Sequence, residues 1–263
     1  LEYEPDMVNI SPAFAGFAKD IGNLQNGMRR AVAEAVRGER LKTELITNVS
    51  HDLKTPLTSI ISYVDLLKGR QLNDGTSNEY IGILEEKSAR LKQLVDDLLE
   101  ASKAASGDMA VNFGSIDIHS LIEQAMAEYS AKAEEAGLDI RIKMPEAPVV
   151  VRGDGALMWR IMDNLLSNVV KYSQRNSRVY IEVEEDGAAG KITVKNISEA
   201  PLDIPAEQLM ERFVRGDSSR TTEGSGLGLS IARSLAELQK GSLEVAIDGD
   251  LFKVIVRIPL EKT

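Results

Sequence analysis

Asp163-Asn164-Leu165-Leu166-Ser167-Asn168-Val169-Val170-Lys171-Tyr172 is the stretch on which the reading of this chain turns. Asn164, Asn168 and Lys171 stand at i, i+4 and i+7, so on a helix they share one face. Leu165, Leu166, Val169 and Val170 cover the other side and predict a helix laid on a core. The polar face has a chemistry of its own. Carboxamide oxygens suit Mg²⁺, which prefers oxygen ligands and keeps several waters, and a lysine brings a point charge to a phosphate. The same residues also fit a solvated helix face that binds nothing.

Downstream, Gly224-Ser225-Gly226-Leu227-Gly228-Leu229 opens an amphipathic helix with apolar positions at Leu229, Ile231, Ala232, Leu235 and Leu238. Glycines let backbone N–H groups approach phosphate oxygens, and a helix N-terminus favours an anion. A glycine run alone also makes ordinary turns. It is not a dinucleotide-binding βαβ unit, because residues 217–223 form a polar loop rather than a strand. It is not a P-loop either, since no Gly-Lys-Ser/Thr follows. Short β-type segments are expected at 139–144, 149–152, 179–184, 191–196, 242–247 and 251–258, with helices at 118–136, 155–173 and 227–240. Asp248-Gly249 between alternating segments predicts a hairpin. The pattern is mixed α+β, not doubly wound.

The 263 residues are 43% hydrophobic and 27% charged, the balance of a globular protein. Absence of cysteine excludes a disulfide framework and a cysteine zinc site, and two histidines, His51 and His119, exclude a histidine-rich metal centre. A net charge of −10 disfavours a nucleic-acid binder. No apolar run reaches the roughly 20 residues of a transmembrane helix. The chain opens at Leu1 without a signal segment, which leads us to expect an anchor outside it.

The first 106 residues are expected to be helical. Phe14, Phe17, Ile21, Leu24 and Met28 form a short seam that loses register near Gly38. A second stripe runs through Ile46, Val49, Leu53, Leu57, Ile60, Val64 and Leu67, and a third through Ile81, Leu84, Ser88, Leu91, Val95, Leu98 and Ser102. A turn over 68–77 joins them into an all-α hairpin, best buried by dimerising into a four-helix bundle. Residues 101–108, small and polar, are expected to be a linker. At 100° per residue His51 lies about 200° from Val49 and Leu53 and so should point outward. Asp52 beside it can orient the imidazole or accept its proton, and Thr55 follows one turn along the same face. Pro56 has no N–H for the carbonyl of Asp52 and should loosen the helix. An outward histidine also fits a plain surface residue; at the start of its helix, His119 is read as structural.

His51-Asp52-Leu53-Lys54-Thr55-Pro56 resembles the H-box of bacterial sensor histidine kinases. In the right order after it, the Asn164–Lys171 helix and the Gly224–Gly228 run resemble the N-box and G2-box of the GHKL ATPase/kinase fold, an α+β sandwich. Glu211-Arg212-Phe213-Val214-Arg215 resembles the F-box, with 215–223 as the lid over ATP. The resemblance implies His51 as phosphoacceptor, Asp52 as base or orienter, and Thr55 as the residue positioning water for the reverse dephosphorylation. It implies Asn168 as main Mg²⁺ ligand with Asn164 beside it. Lys171, Tyr172, Arg215, Arg220, Gly224, Gly226, Leu227 and Gly228 would hold ATP. The family's Asp-x-Gly-x-Gly motif is altered. Asn196 stands at the adenine-binding aspartate, its oxygen still able to accept a hydrogen bond, while Ser198 and Ala200 replace the glycines. Asp203 is the alternative acceptor.

The implied division is a signalling helix over 1–40, a dimerisation and phosphotransfer domain over 41–106, and an ATP-binding catalytic domain over 107–263. The implied protein is a homodimeric, ATP-dependent histidine kinase. It phosphorylates His51, passes the phosphoryl group to an aspartate of a response-regulator receiver domain, and also dephosphorylates that regulator. It would be the cytoplasmic portion of a membrane-anchored protein. A GHKL ATPase with water as acceptor and a degenerate dimeric scaffold are the competing expectations.

Overall fold

Period-2 alternation builds one sheet and period-3.6 patterning lays helices against one face of it. The computed structural model describes residues 28, 50–69, 74–106, 109–202, 204–210 and 226–261. Helices α1 (Ser50–Gly69) and α2 (Asp74–Ser106) come first, followed by β1 (Gly114–Asp117), α3 (Ile118–Glu135), β2 (Asp139–Lys143) and β3 (Val150–Gly153). Then come α4 (Gly155–Tyr172), β4 (Arg178–Asp186), β5 (Ala189–Ile197), α5 (Ala206–Leu209), α6 (Gly228–Leu238), β6 (Ser242–Asp248) and β7 (Leu251–Pro259). The chain separates into two compact units, Leu1–Thr55 and Pro56–Thr263. Of the first, the helical residues 50–55 carry His51 and Asp52, and Thr55 is exposed. The Phe14–Met28 seam and the lost register at Gly38 lie, Met28 apart, outside the described residues.

In the second unit the main sheet has the order β2-β4-β5-β7-β6, with β2 parallel to β4 and every other pair antiparallel. This mixed order agrees with an α+β sandwich. The inner positions Val179, Ile181, Ile192, Val194, Val254 and Val256 are buried against Ile122 of α3, Met162 and Leu166 of α4, and Ile231 and Leu235 of α6. Outward residues form a cross-strand lattice of ion pairs: Glu182 with Lys195, Glu184 with Lys191, and Arg257 shared by Asp186 and Glu244. The hydrogen bond from Lys195 holds the Glu182 carboxyl below its ordinary range. The Asp248-Gly249 hairpin forms as expected, with Gly249 at φ +57°. β1 and β3 make a separate antiparallel pair; β3 is the segment expected at 149–152, while β1 and the single turn of α5 are too short to stand out in the sequence.

Two expectations are corrected. Residues 101–106 are not a linker: α2 runs on to Ser106, with Ala101 and Ala104 buried. Small residues there permit close approach of a packed helix, and α2 packs on α6. The turn over 68–77 is shorter, because α1 reaches Gly69 and α2 begins at Asp74. As expected of a hairpin with one apolar face left over, the stripes are only partly covered within one chain: Leu57, Ile81 and Val95 are exposed, and Pro56 is buried inside α1.

One buried carboxylate fixes where α4 begins. Asp154 caps the helix, its Oδ1 accepting from the N–H of Ala156 at 2.9 Å and of Leu157 at 3.3 Å. Its Oδ2 accepts from the Asn112 N–H at 2.8 Å, and its own N–H donates to Oε1 of the fully buried Gln239, just past α6. Gln239 in turn donates to the Leu235 carbonyl. One residue thus ties the start of α4 to the end of α6. Asp154→Ala is expected to cost about 2 kcal/mol, through a lost cap and an unpaired N–H. Asp154→Asn, which keeps one acceptor, should lose less; urea denaturation checks both.

Candidate functional site

The two helices that carry the motifs meet at Gly228. A Cβ built there would lie 3.1 Å from Asn164 Oδ1 and 3.7 Å from Asn168 Nδ2, so the first turn of α6 rests against both carboxamides. Asn164 is buried and its Nδ2 donates to the Arg160 carbonyl at 2.9 Å, which turns its oxygen toward α6. Asn168 is half-buried and Lys171 exposed, grading from the interior outward along one helix face. Gly226 adopts φ +66°, a conformation that favours glycine, and Leu227 is buried beneath it. α6 has no side-chain cap and no acid in its first turn. The positive end of its dipole favours an anion.

Carboxamide oxygens beside such a terminus fit a hard, oxygen-seeking cation together with phosphate oxygens. Mg²⁺ binds in that way, with few protein ligands. Among the described residues no group of three or more His, Asp or Glu side chains could hold a metal ion.

The sequence reading missed what steadies α4. The Arg160 guanidinium is shared by Asp97 at 2.7 Å and Glu100 at 2.8 Å on α2, and by Asp163 at 2.9 Å on its own helix. Burial opposes its charge, but the hydrogen bond to Glu100 and the three carboxylates outweigh it and raise its pKa. Tyr129 of α3 donates to Asp163, and burial followed by that hydrogen bond pushes its phenol well up. Arg160 lies one turn before Asn164, the only sequence signal that it belongs with the site.

At the other end of α4, Tyr172 is half-buried and its carbonyl accepts from the Glu199 N–H at 2.9 Å. Ser173 forms an isolated antiparallel bridge with Ser198, just beyond β5. Asn196, the expected base contact, is buried near the end of β5. Asn164, Asn168, Lys171, Tyr172, Asn196, Gly226, Leu227 and Gly228 are thus all carried by α4, β5 and the start of α6. Arg215, Arg220, Gly224, the alternative acceptor Asp203 and the lid lie outside the described residues. His51 and Asp52 are placed on helical backbone in the other unit. The His119 backbone N–H donates to the helix cap Asp117 at 3.0 Å.

The chain matches the His Kinase A (phospho-acceptor) domain over residues 41–107 and the Histidine kinase-, DNA gyrase B-, and HSP90-like ATPase over 153–262. It is 29% identical over 237 residues to the sensor protein kinase WalK of Staphylococcus aureus, covering 88% of this chain and 56% of that relative. Against longer versions of WalK it spans 38% of their length. Among solved structures it resembles histidine kinase ThkA in complex with the response regulator protein TrrA (TM-score 0.69, 23% identity, 88% of this chain and 66% of that one). It also resembles full-length ShkA in complex with AMPPNP (TM-score 0.61, 22% identity, 86% and 46%). At these identities the two structures establish the fold.

Gly228→Ala tests the meeting of α4 and α6. The methyl group must displace Asn164 Oδ1, so Mg²⁺-dependent ADP affinity is expected to fall about tenfold, equivalent to about 1.4 kcal/mol. The urea midpoint should hardly move. Calorimetric titration beside a denaturation curve reads both.

Proposed function

The chain belongs to the sensor histidine kinases, and from that premise we propose that it takes the γ-phosphoryl group of ATP onto His51. It then passes that group to an aspartate on a response-regulator receiver domain. The observation that carries this reading is the seating of the α6 N-terminus on Asn164 and Asn168 through Gly228, a phosphate-and-cation site in the second of two matched kinase domains. The AMPPNP in the ShkA structure and the response regulator bound to ThkA support the nucleotide and partner classes.

Each residue then has a task. Asn168, half-exposed, is the main Mg²⁺ ligand, and Asn164 is the buried second. Lys171 and Tyr172, with Arg215 and Arg220 from the lid, neutralise and orient the phosphates. Gly224, Gly226, Leu227 and Gly228 bring backbone to them, and Asn196 reads the base. Mg²⁺, when bound, offsets charge on the transferring group. His51 attacks the γ-phosphorus in line: an N–P bond forms as the P–O bond to ADP breaks, and Asp52 orients the imidazole or takes its proton. Positioning and charge neutralisation supply most of the acceleration. Thr55, exposed four residues beyond His51, positions water for the opposite duty of dephosphorylating the regulator.

The chain divides by task into a signalling helix over 1–40, a phosphotransfer domain over 41–106 and a catalytic domain over 107–263. Leu57 and Ile61 of α1 and Val95 and Leu99 of α2 are exposed, and a second copy covers them in a four-helix dimer. Among the described residues no helix is long and apolar enough to cross a membrane. The chain spans only part of its relatives, and we place it as the cytoplasmic portion of a membrane-anchored sensor.

Incubation with γ-labelled ATP and Mg²⁺ tests the central step. The expected result is acid-labile, alkali-stable label that His51→Ala abolishes while ADP binding survives. Full labelling of His51→Ala overturns the assignment, and phosphate release without label points to a water-accepting ATPase instead. Thr55→Ala is expected to keep autophosphorylation and lose regulator dephosphorylation, measured on a phosphorylated receiver domain.

A further inference from the structure

Among the described residues the base end of the site is lined by neutral groups whose hydrogen-bonding capacity is not filled. Ser173 is 5% exposed, and its Oγ is buried with no hydrogen-bond partner. Asn196 is 4% exposed, and its one hydrogen bond among the described residues is a long 3.4 Å contact from Nδ2 to the Ile197 carbonyl. Its Oδ1 accepts from none of them. Buried polar side chains are normally paired, so the Ser173 hydroxyl calls for an explanation.

The backbone brings them together. Gln174 N–H donates to the Ile197 carbonyl at 2.8 Å and Glu199 N–H to the Tyr172 carbonyl at 2.9 Å. These bonds flank Ser173 and Ser198 and make them a non-hydrogen-bonded pair, the kind whose side chains lie closest. Asn196 and Ser198, two residues apart, share the face of the sheet that Ile192 and Val194 turn toward the helices. A carboxamide and two hydroxyls therefore converge where α4 ends. Nine residues separate Asn164 from Ser173, roughly 13 Å of helix rise. A nucleotide lying along α4 with its phosphates at Gly228 has its base at this end.

We propose that this pocket accepts 6-oxopurine nucleotides as well as 6-aminopurine ones, with Ser173 as a base-contacting residue; the proposal rests on the nucleotide reading above. A carboxylate only accepts hydrogen bonds, so it pairs with an exocyclic amine and repels an exocyclic oxygen. A carboxamide presents an acceptor and a donor, and a hydroxyl can be either. With adenine, Asn196 Oδ1 accepts from the 6-amino group and Nδ2 donates to N1. With hypoxanthine or guanine the amide turns over: Nδ2 donates to O6 and Oδ1 accepts from N1–H. The Ser173 hydroxyl rotates to suit either base. Strong rejection of an analogue needs a buried group left unpaired by it, and this set leaves none.

Calorimetric titration of the full 263-residue chain with ADP and with inosine diphosphate, both with Mg²⁺, tests the inference. The two dissociation constants are expected to lie within roughly tenfold of each other. Asn196→Asp should widen the preference for ADP by at least about tenfold, because a carboxylate then faces O6. Ser173→Ala should weaken both nucleotides about fivefold without changing their ratio. Normal ADP binding with inosine diphosphate more than about a hundredfold weaker in the unaltered chain overturns the relaxed selectivity. Unchanged affinities in Ser173→Ala overturn the role of that serine. Failure of both nucleotides to bind the folded chain overturns the nucleotide reading itself.

Discussion

Gly228 lets the first turn of α6 lie against the carboxamides of Asn164 and Asn168, an approach at which an added Cβ would press on the Asn164 oxygen at 3.1 Å. The site exists only at this spacing. If α6 stood further off, the helix terminus and the two oxygens could not act on the same group. If α4 rotated by one residue, Leu165 and Val169 would take the place of the asparagines. The position of α4 about its own axis is thus the quantity the remaining structure has to hold.

It is held at several points along its length. Asp154 sets the first turn and, through Gln239, fixes it to the far end of α6. One turn before Asn164, Arg160 grips Asp97 and Glu100 of α2 with its side chain while its carbonyl receives the Asn164 amide. The guanidinium is partly buried, and the three carboxylates offset the cost of taking its charge from water. At the last turn, the Tyr172 carbonyl and the Gln174 N–H join the strand beyond β5. The proposed ligand residues Asn164, Asn168 and Lys171 sit between these anchors. An arrangement of this kind favours precise placement over net stabilisation, since partly buried ion pairs add little to stability by themselves.

Much of this was legible in sequence, and what was not has a physical reason. The Asn164–Tyr172 helix, the glycine run and the Asp-Gly hairpin depend on near-neighbour periodicity and turn chemistry, which a single sequence displays. The continuation of α2 through Ala101 and Ala104 was obscured because small residues mark both linkers and close helix packing. Only the burial of those alanines separates the two. The stripes were read as leaving an apolar face over on one hairpin, and Leu57, Ile81 and Val95 are exposed within one chain. Arg160, Gln239 and Ser173 could not be found by pattern at all. Their partners lie 60 or more residues away in the first two cases, and in the third the telling fact is a missing partner.

Electrostatics reconcile an acidic chain with a polyanionic substrate. The net charge of −10 belongs to the whole molecule, but carboxylates near α4 are largely occupied: Asp97, Glu100 and Asp163 share Arg160, and Asp154 accepts three backbone N–H groups. Beyond the end of the helix, Lys171, Arg175 and Arg178 are exposed with no acid between them, while the first turn of α6 holds neither acid nor capping side chain. A phosphate group approaching from that side meets cations and an open helix terminus before it meets the global field, which salt screens over about 8 Å. At the end of α4 proposed to meet the base, the described lining is neutral: Asn196, Ser173 and Ser198. The charge is graded along a single helix, and that gradient rather than the overall sign sets the orientation in which a nucleotide can lie.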